Sequence, residues 1–322
     1  MKTLKTLKFA VVAALAFTFS SCDSDDGVEG TGEASVEITD APIDNADVQA
    51  VFVTITDVKI NGQSATSFGG STTVDLLALQ EGRTTLLANE ELNAGTYNNI
   101  TFTLDLETDA SGNTPGSYVM TSSGKEALEM DGQSQVDLVA SGSYSVLANT
   151  SNALVVDFDL RKMIKEESNT VSNDYSFVTK AEAQAALRLV EKGATGTVVG
   201  DVDMSSFGDN DKVIVYAYDR GSFNEDTETS GQGESNIMFS NAVSSTAVVE
   251  GALSDRFELS FLTAGDYDLV FAAYNENDLS GELEFDGFLE ADSNAQGQIA
   301  NAISIEANVE LNVSFAISAI ID

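Results

Sequence analysis

VQAVFVTITDVKI, residues 48–60, alternates apolar and polar side chains along most of its length. A period of two sends successive side chains to opposite faces of an extended chain, so the stretch reads as one long half-buried strand. The same alternation recurs in Ala34 to Thr39 (ASVEIT), Thr73 to Leu79 (TVDLLAL), Asn99 to Leu106 (NITFTLDL) and Ala153 to Asp159 (ALVVDFD). Turn-rich pieces such as NGQS, FGGS, DASGNTPGS and MDGQSQ separate these runs. Short alternating strands with that punctuation predict an all-β fold built as an antiparallel sandwich. Leu160 to Glu167 (LRKMIKEE) suits a short helix, and Lys180 to Lys192 (KAEAQAALRLVEK) a brief helical turn feeding a closing strand.

GATG at 193–196 marks a boundary, and a second all-β unit follows. Its expected strands are Thr197 to Val202, Lys212 to Asp219, Ile237 to Phe239, Arg256 to Phe261, Asp266 to Tyr274, Ala302 to Val309 and Leu311 to Ile317. The expected architecture is two antiparallel β-sandwich domains in tandem, 34–192 and 194–322, with one or two short helices in the first. Each is large enough for its own core, and the two share no obvious repeat.

The chain opens on MKTLKTLK, continues through an apolar run from Phe9 to Phe19, and reaches FSSCDSDD at 19–26 with its single cysteine, Cys22. A basic start, a short apolar run and small residues before a cut site make a secretory signal, here 1–21. The run is shorter than the roughly 20 residues that span a bilayer. The order resembles a bacterial lipoprotein signal, which implies that Cys22 carries acyl groups such as palmitate and anchors the mature chain in the lipid bilayer. Residues 22–33 then form an acidic, glycine-bearing tether. CDSDD resembles the acidic export signals that place lipoproteins on the outer face of the outer membrane, with a periplasm-facing orientation as the alternative.

Fifteen Lys and Arg face 52 Asp and Glu, for a net charge of −37. Nucleic acid binding needs clustered cations, so it is excluded as a partner. The sequence has no histidine, which removes imidazole-based triads, His-ligated zinc and imidazole proton shuttles. Carboxylate chemistry and oxygen-ligated calcium remain.

Four groups are weighed on that basis. Asp40 and Asp44, with Asp47 nearby, could hold a cation, but Asp40 before Ala41-Pro42 is also a good turn starter. Asp157 and Asp159 lie two apart on one strand; as a carboxylate pair they would suit glycoside hydrolysis, and as a solvated face opposite Val156 and Phe158 they need no function. Asp201, Asp203, Asp209 and Asp211 in GDVDMSSFGDNDK alternate as calcium ligands can, though not in EF-hand spacing. Tyr216 and Tyr218 share a strand face, either as a sugar-stacking platform or as packing against Tyr267 or Phe271. No cofactor is expected apart from that calcium.

TDAP at 39–42, VFVTITDVKI, VDLLALQEG at 74–82, AGTYNNITFTL at 94–104 and VVDFDL at 155–160 resemble, in order, the domain-of-unknown-function family 4382 of envelope lipoproteins. The resemblance covers about residues 34–192 and implies no catalytic residues. FELSFLTAGDYDLVFAAY, residues 257–274, is similar to transthyretin-like or carboxypeptidase-regulatory-like sandwiches, with Leu262, Gly265 and Tyr267 at the signature positions. These readings converge on an outer-membrane-anchored, surface-exposed lipoprotein with a non-enzymatic binding or structural role. Glycan or extracellular polymer is the expected ligand class by analogy with the second module. The alternatives are a polysaccharide hydrolase using paired carboxylates and a structural surface protein that pairs with a surface partner through strand edges.

Overall fold

The computed structural model describes residues 30–41, 47–168, 173–204, 211–249, 254–276, 283–293 and 302–321. The signal, Cys22 and most of the tether lie outside the described residues, as do Asp44 and Asp209. No described helix is long and apolar enough to cross a membrane.

The first unit opens with β1 (Thr31–Ala41), β2 (Ala50–Ile60), β3 (Gln63–Ser64), β4 (Thr72–Asp75) and β5 (Thr85–Asn93). It continues with β6 (Gly95–Asp105), β7 (Tyr118–Thr121), β8 (Gly124–Ala127), β9 (Gln135–Val146) and β10 (Ser151–Asp159). Then come α1 (Leu160–Met163), the hairpin β11 (Ile164–Ser168) and β12 (Asn173–Phe177), α2 (Lys180–Ala185) and β13 (Leu187–Glu191). One layer has the order β13-β10-β1-β5; the other runs β8-β7-β2-β6-β9, with β3 and β4 also on β2. The helix expected over 160–167 ends at Met163, because Ile164 onward pairs with β12 instead. Lys180 to Glu191 divides as expected into a helical turn and a closing strand, the turn being held by a capping box between Thr179 and Glu182.

The long strand at its centre carries a slip in phase. Val51, Val53 and Ile55 point into the core, and then Val58 and Ile60 do. A one-residue shift between Ile55 and Asp57 in the pairing with β6 absorbs the change, as a β-bulge must when the buried set moves from odd to even positions. These residues meet Val36 and Ile38 of β1 and Leu154, Val156 and Phe158 of β10 across the sandwich. The rings of Phe102 and Phe158 join the layers at 5.3 Å.

The second unit comprises β14 (Thr195–Asp203), β15 (Asp211–Asp219), α3 (Glu225–Glu228), β16 (Ser244–Ala247) and β17 (Asp255–Thr263), followed by β18 (Gly265–Glu276), β19 (Leu283–Ser293), β20 (Ala302–Ile305) and β21 (Glu310–Ile321). Its strands follow the order β16-β15-β18-β19-β21-β14-β17, with β20 beside the start of β18. The sheet folds over until Val249 and Arg256 exchange two backbone hydrogen bonds between its two ends. Phe257, Phe271 and Phe315 fill the interior. A Cβ at Gly200 would overlap the Phe257 ring, so the strand needs glycine there. Ile237 to Phe239, expected as a strand, is a turn in the β15–β16 connection.

The two units repeat one another in backbone although not visibly in sequence. In each, the first strand pairs parallel with the last long strand and antiparallel with the strand before the A-G-x-Y corner: β10-β1-β5 and β21-β14-β17. In each, the second strand pairs with the one after that corner, β2 with β6 and β15 with β18. The hydrogen bonds at one pole match one for one. Asn149 N–H donates to the Thr31 carbonyl at 2.8 Å and Asn308 N–H to that of Thr195 at 2.7 Å. Glu33 N–H reaches Thr150 at 2.8 Å, and Thr197 N–H reaches Val309 at 3.0 Å. Both asparagines adopt a left-handed conformation with φ of 59°. The Tyr97 and Tyr267 hydroxyls each donate to the carbonyl four residues back, at 2.8 Å in both. The two parallel pairs also make the sheets mixed, where alternation alone suggested antiparallel sheets.

Candidate functional site

β10 is buried on both faces, and that places the functional candidates. Leu154, Val156 and Phe158 face the sandwich interior, while Val155, Asp157 and Asp159 face the second unit. The expectation that the two aspartates point to solvent is therefore corrected: each is only 5% exposed. The second sandwich covers that face with β16, β17 and the β15–β16 connection, and Val155, Val190 and Phe261 make a small apolar contact across the seam.

Cations from the first unit neutralise the two acids and reach across. Arg188 Nη2 donates to Asp157 Oδ2 at 2.7 Å, and its Nη1 donates to the Phe261 carbonyl at 2.6 Å. Lys162 Nζ sits 3.0 Å from Asp159 Oδ2 and donates to the Ala242 carbonyl at 2.5 Å. Arg161 lies 3.8 Å from Asp159 and 4.8 Å above the Tyr216 ring. Burial pushes the Asp157 carboxyl above its ordinary value, and Arg188 only partly offsets this. Burial raises Asp159 as well, but Lys162 and Arg161 together outweigh it and hold the group down. On α2, Glu182 accepts from the Ser235 hydroxyl at 2.7 Å and the Ser235 N–H at 3.0 Å. Burial works against its charge, yet bonds from Ser235 and Thr179 bring it to about 2.

A cleft opens along the seam, lined by Thr39, Asp40, Asp157, Ser245, Glu258 and Ser260 among others. Its interior volume of about 20 Å³ holds roughly one ordered water, too little for a sugar ring. Asp40 lines the cleft and is buried, and Asp47 is half-buried. Asp157 and Asp159, each enclosed and ion-paired, do not form an open carboxylate pair for glycoside hydrolysis.

Tyr216 and Tyr218 are fully buried, which removes the stacking platform. They pack on the outer face of the second sheet, away from Tyr267 and Phe271, which belong to the interior core. Phe239 stacks on Tyr216 at 4.3 Å, Tyr216 and Tyr274 share a hydroxyl contact of 2.5 Å, and Tyr218 donates to buried Glu228 at 2.9 Å. The β15–β16 connection folds over this face and closes it. Sequence reasoning missed Glu228, Arg161 and Arg188; the only signal was the scarcity of cations, which makes each buried one informative.

Asp201 and Asp203 stand exposed on β14, two residues apart and so on one face, with Asp201 accepting from Ser254 Oγ at 2.9 Å. Asp209 lies outside the described residues and the Asp211 side chain is not described. Among the described residues, no group of three or more acidic or cysteine side chains is placed to hold a metal ion.

No curated protein matches the chain. Among solved structures, the Bacillus anthracis TIE protein is 11% identical with a TM-score of 0.18; the match covers 89% of this chain and 34% of that one, so this chain spans about a third of its length. The minor pilin GBS52 of Streptococcus agalactiae is 10% identical over 90% of this chain and 98% of that chain, with a TM-score of 0.20. The fimbrial anchor protein Mfa2 from Porphyromonas gingivalis is 14% identical over 77% and 83%, with a TM-score of 0.18. Likeness at this level carries no functional inference. The family model described as Domain of unknown function (DUF4382) matches residues 31–178, which span β1 to the end of β12 and the residue after it. Over those residues the first unit is similar to DUF4382 domains.

Proposed function

We propose that the chain is a lipoprotein of the outer membrane, anchored through acylated Cys22, with a non-enzymatic structural or adhesive role at the cell surface. The observation that carries this reading is the use of the interior polar groups. Asp157, Asp159, Arg161 and Arg188 serve assembly of the tandem, and Glu228 holds the β15–β16 connection onto the second sheet. The basic start, the apolar run and FSSC support the anchor, and CDSDD supports outward export. Glycan or extracellular polymer is the proposed ligand class. Calcium at Asp201, Asp203, Asp209 and Asp211 would be an accessory that ties β14 to β15.

The test is metabolic labelling with a palmitate analogue in cells expressing the wild type or Cys22→Ala, followed by protease treatment of intact cells. Label on the wild type alone, with digestion of its surface domains, is the expected result. An unlabelled wild type, or one protected until the cells are lysed, removes the anchor or the outward orientation respectively. The purified protein is then screened on a glycan array with calcium and with chelator. Cleavage of any polysaccharide during that screen would overturn the non-enzymatic reading.

A further inference from the structure

We infer that the two sandwiches are locked into one rigid body by two arginines of the first unit, each seated on the main-chain carbonyl of a left-handed phenylalanine in the second. Phe239 and Phe261 have φ of 53° and 57°. The other described non-glycine residues with positive φ are Asn, Asp or Glu. An aromatic residue in that region is an outlier that persists only where its surroundings hold it. Both surroundings contain a guanidinium from the opposite unit. Arg161 donates from Nη2 to the Phe239 carbonyl at 3.1 Å and from Nη1 to the Met238 carbonyl at 2.7 Å, so one planar fork spans two successive carbonyls. Arg188 donates from Nη1 to the Phe261 carbonyl at 2.6 Å while Nη2 stays on Asp157 at 2.7 Å.

The local structure prepares each seat. Phe261 falls where the β14–β17 ladder shifts register between Gly196 and Val198, so the ladder does not pair it. Phe239 is held by its ring, stacked on Tyr216 beneath Arg161 and edge-on to Phe285 and Phe288. The Arg161 side chain is 1% exposed and the Asp159 side chain opposite it is 7% exposed. A buried fork with charge-assisted bonds in two directions is geometry that a lysine cannot reproduce. Glu182 on Ser235 adds a third point of attachment to the same connection. Lys162 on the Ala242 carbonyl and the Val155–Val190–Phe261 contact act at the same seam, so the two arginines hold an orientation that several attachments share.

The experiment is calorimetric unfolding of the full chain together with limited proteolysis at the 192–194 turn. The wild type is expected to unfold in one transition. The Arg161→Ala/Arg188→Ala double variant is expected to unfold in two, with cleavage at the turn at least tenfold faster. Arg161→Lys, which keeps the charge and loses the fork, is expected to follow the double variant part of the way. Lys59→Ala, which removes an ion pair to Asp137 on the far layer, is expected to keep one transition. Two transitions in the wild type, or an unchanged single transition and cleavage rate in the double variant, would overturn the lock. Should the double variant not accumulate folded, Arg161→Lys decides: separated transitions support the lock and an unshifted single one overturns it.

Discussion

In the first unit the outer face of β13-β10-β1 is closed by a neighbour, and Val155, Asp157 and Asp159 are buried there. In the second unit the strands that match β10 and β1, which are β21 and β14, carry exposed Asp201, Asp203, Asn312 and Ser314 on the corresponding face. The central strand pairings and the hydrogen bonds at the pole are the same in both. The difference therefore lies in what each copy was given to cover. An acid on an open strand face is solvated at little cost, whereas an acid on a closed one needs a cation within reach. Lys162, Arg161 and Arg188 supply those cations in a chain that has only 15 basic residues in all.

The comparison breaks hardest at Asp159. Asp159→Ala leaves buried Arg161 and half-buried Lys162 without their carboxylate and is expected to cost about 3–5 kcal/mol in urea unfolding. A loss below about 1 kcal/mol would mean the face is not closed as described. The repeated pole is sharpened by a matched pair. A Cβ on Gly32 would collide with the Leu147 carbonyl, and one on Gly196 with those of Glu306 and Val309. Gly32→Ala and Gly196→Ala should each cost about 1–3 kcal/mol, and a clear inequality would show that the two poles differ in rigidity.

Smaller effects separate the corners. Tyr97→Phe and Tyr267→Phe each remove one hydroxyl-to-carbonyl bond, about 0.5–1.5 kcal/mol, and the loss should be greater at Tyr267, whose ring is 2% exposed and whose hydroxyl also bonds Thr263 Oγ1. Acid titration tests the seam itself. Glu182 is held down from 4.5 to about 2, so its contribution is complete above 4.5 and fades as pH falls toward 2. Glu182→Gln should flatten stability across that window without changing its course above it. The smallest change is expected on the open face: Asp201→Ala should stay within about 0.5 kcal/mol without added calcium.

Much of the sandwich was legible from alternation. The strands at 50–60, 151–159 and 255–276 follow period-two runs because one face of each meets an apolar layer, and a side-chain period of two leaves no other way to bury that set. Missed strands such as β9 and β19 carry Ser, Gly, Asp and Glu, which weaken the pattern without preventing pairing. The repeat is faint in the sequence because its markers are short: Thr-Gly, Ala-Gly-x-Tyr and Ala-Asn, at unequal spacings. They serve backbone geometry, which tolerates nearly any residue between them.

For the candidate site the division is sharper. Sequence sufficed to place Asp157 and Asp159 on one face and Tyr216 and Tyr218 on another, since that follows from strand geometry alone. Whether those faces meet water or protein depends on which remote segment lies over them. The β15–β16 connection covers both, and β16 and β17 add to the cover over the aspartates: Glu228 lies 10 residues from Tyr218, whereas the strands over Asp157 are reached only far along the chain, in the second unit. Local pattern reports the side of a strand, but burial on the second side depends on what packs there, the neighbouring unit for the aspartates and a long connection for the tyrosines, and only the tertiary structure decided it.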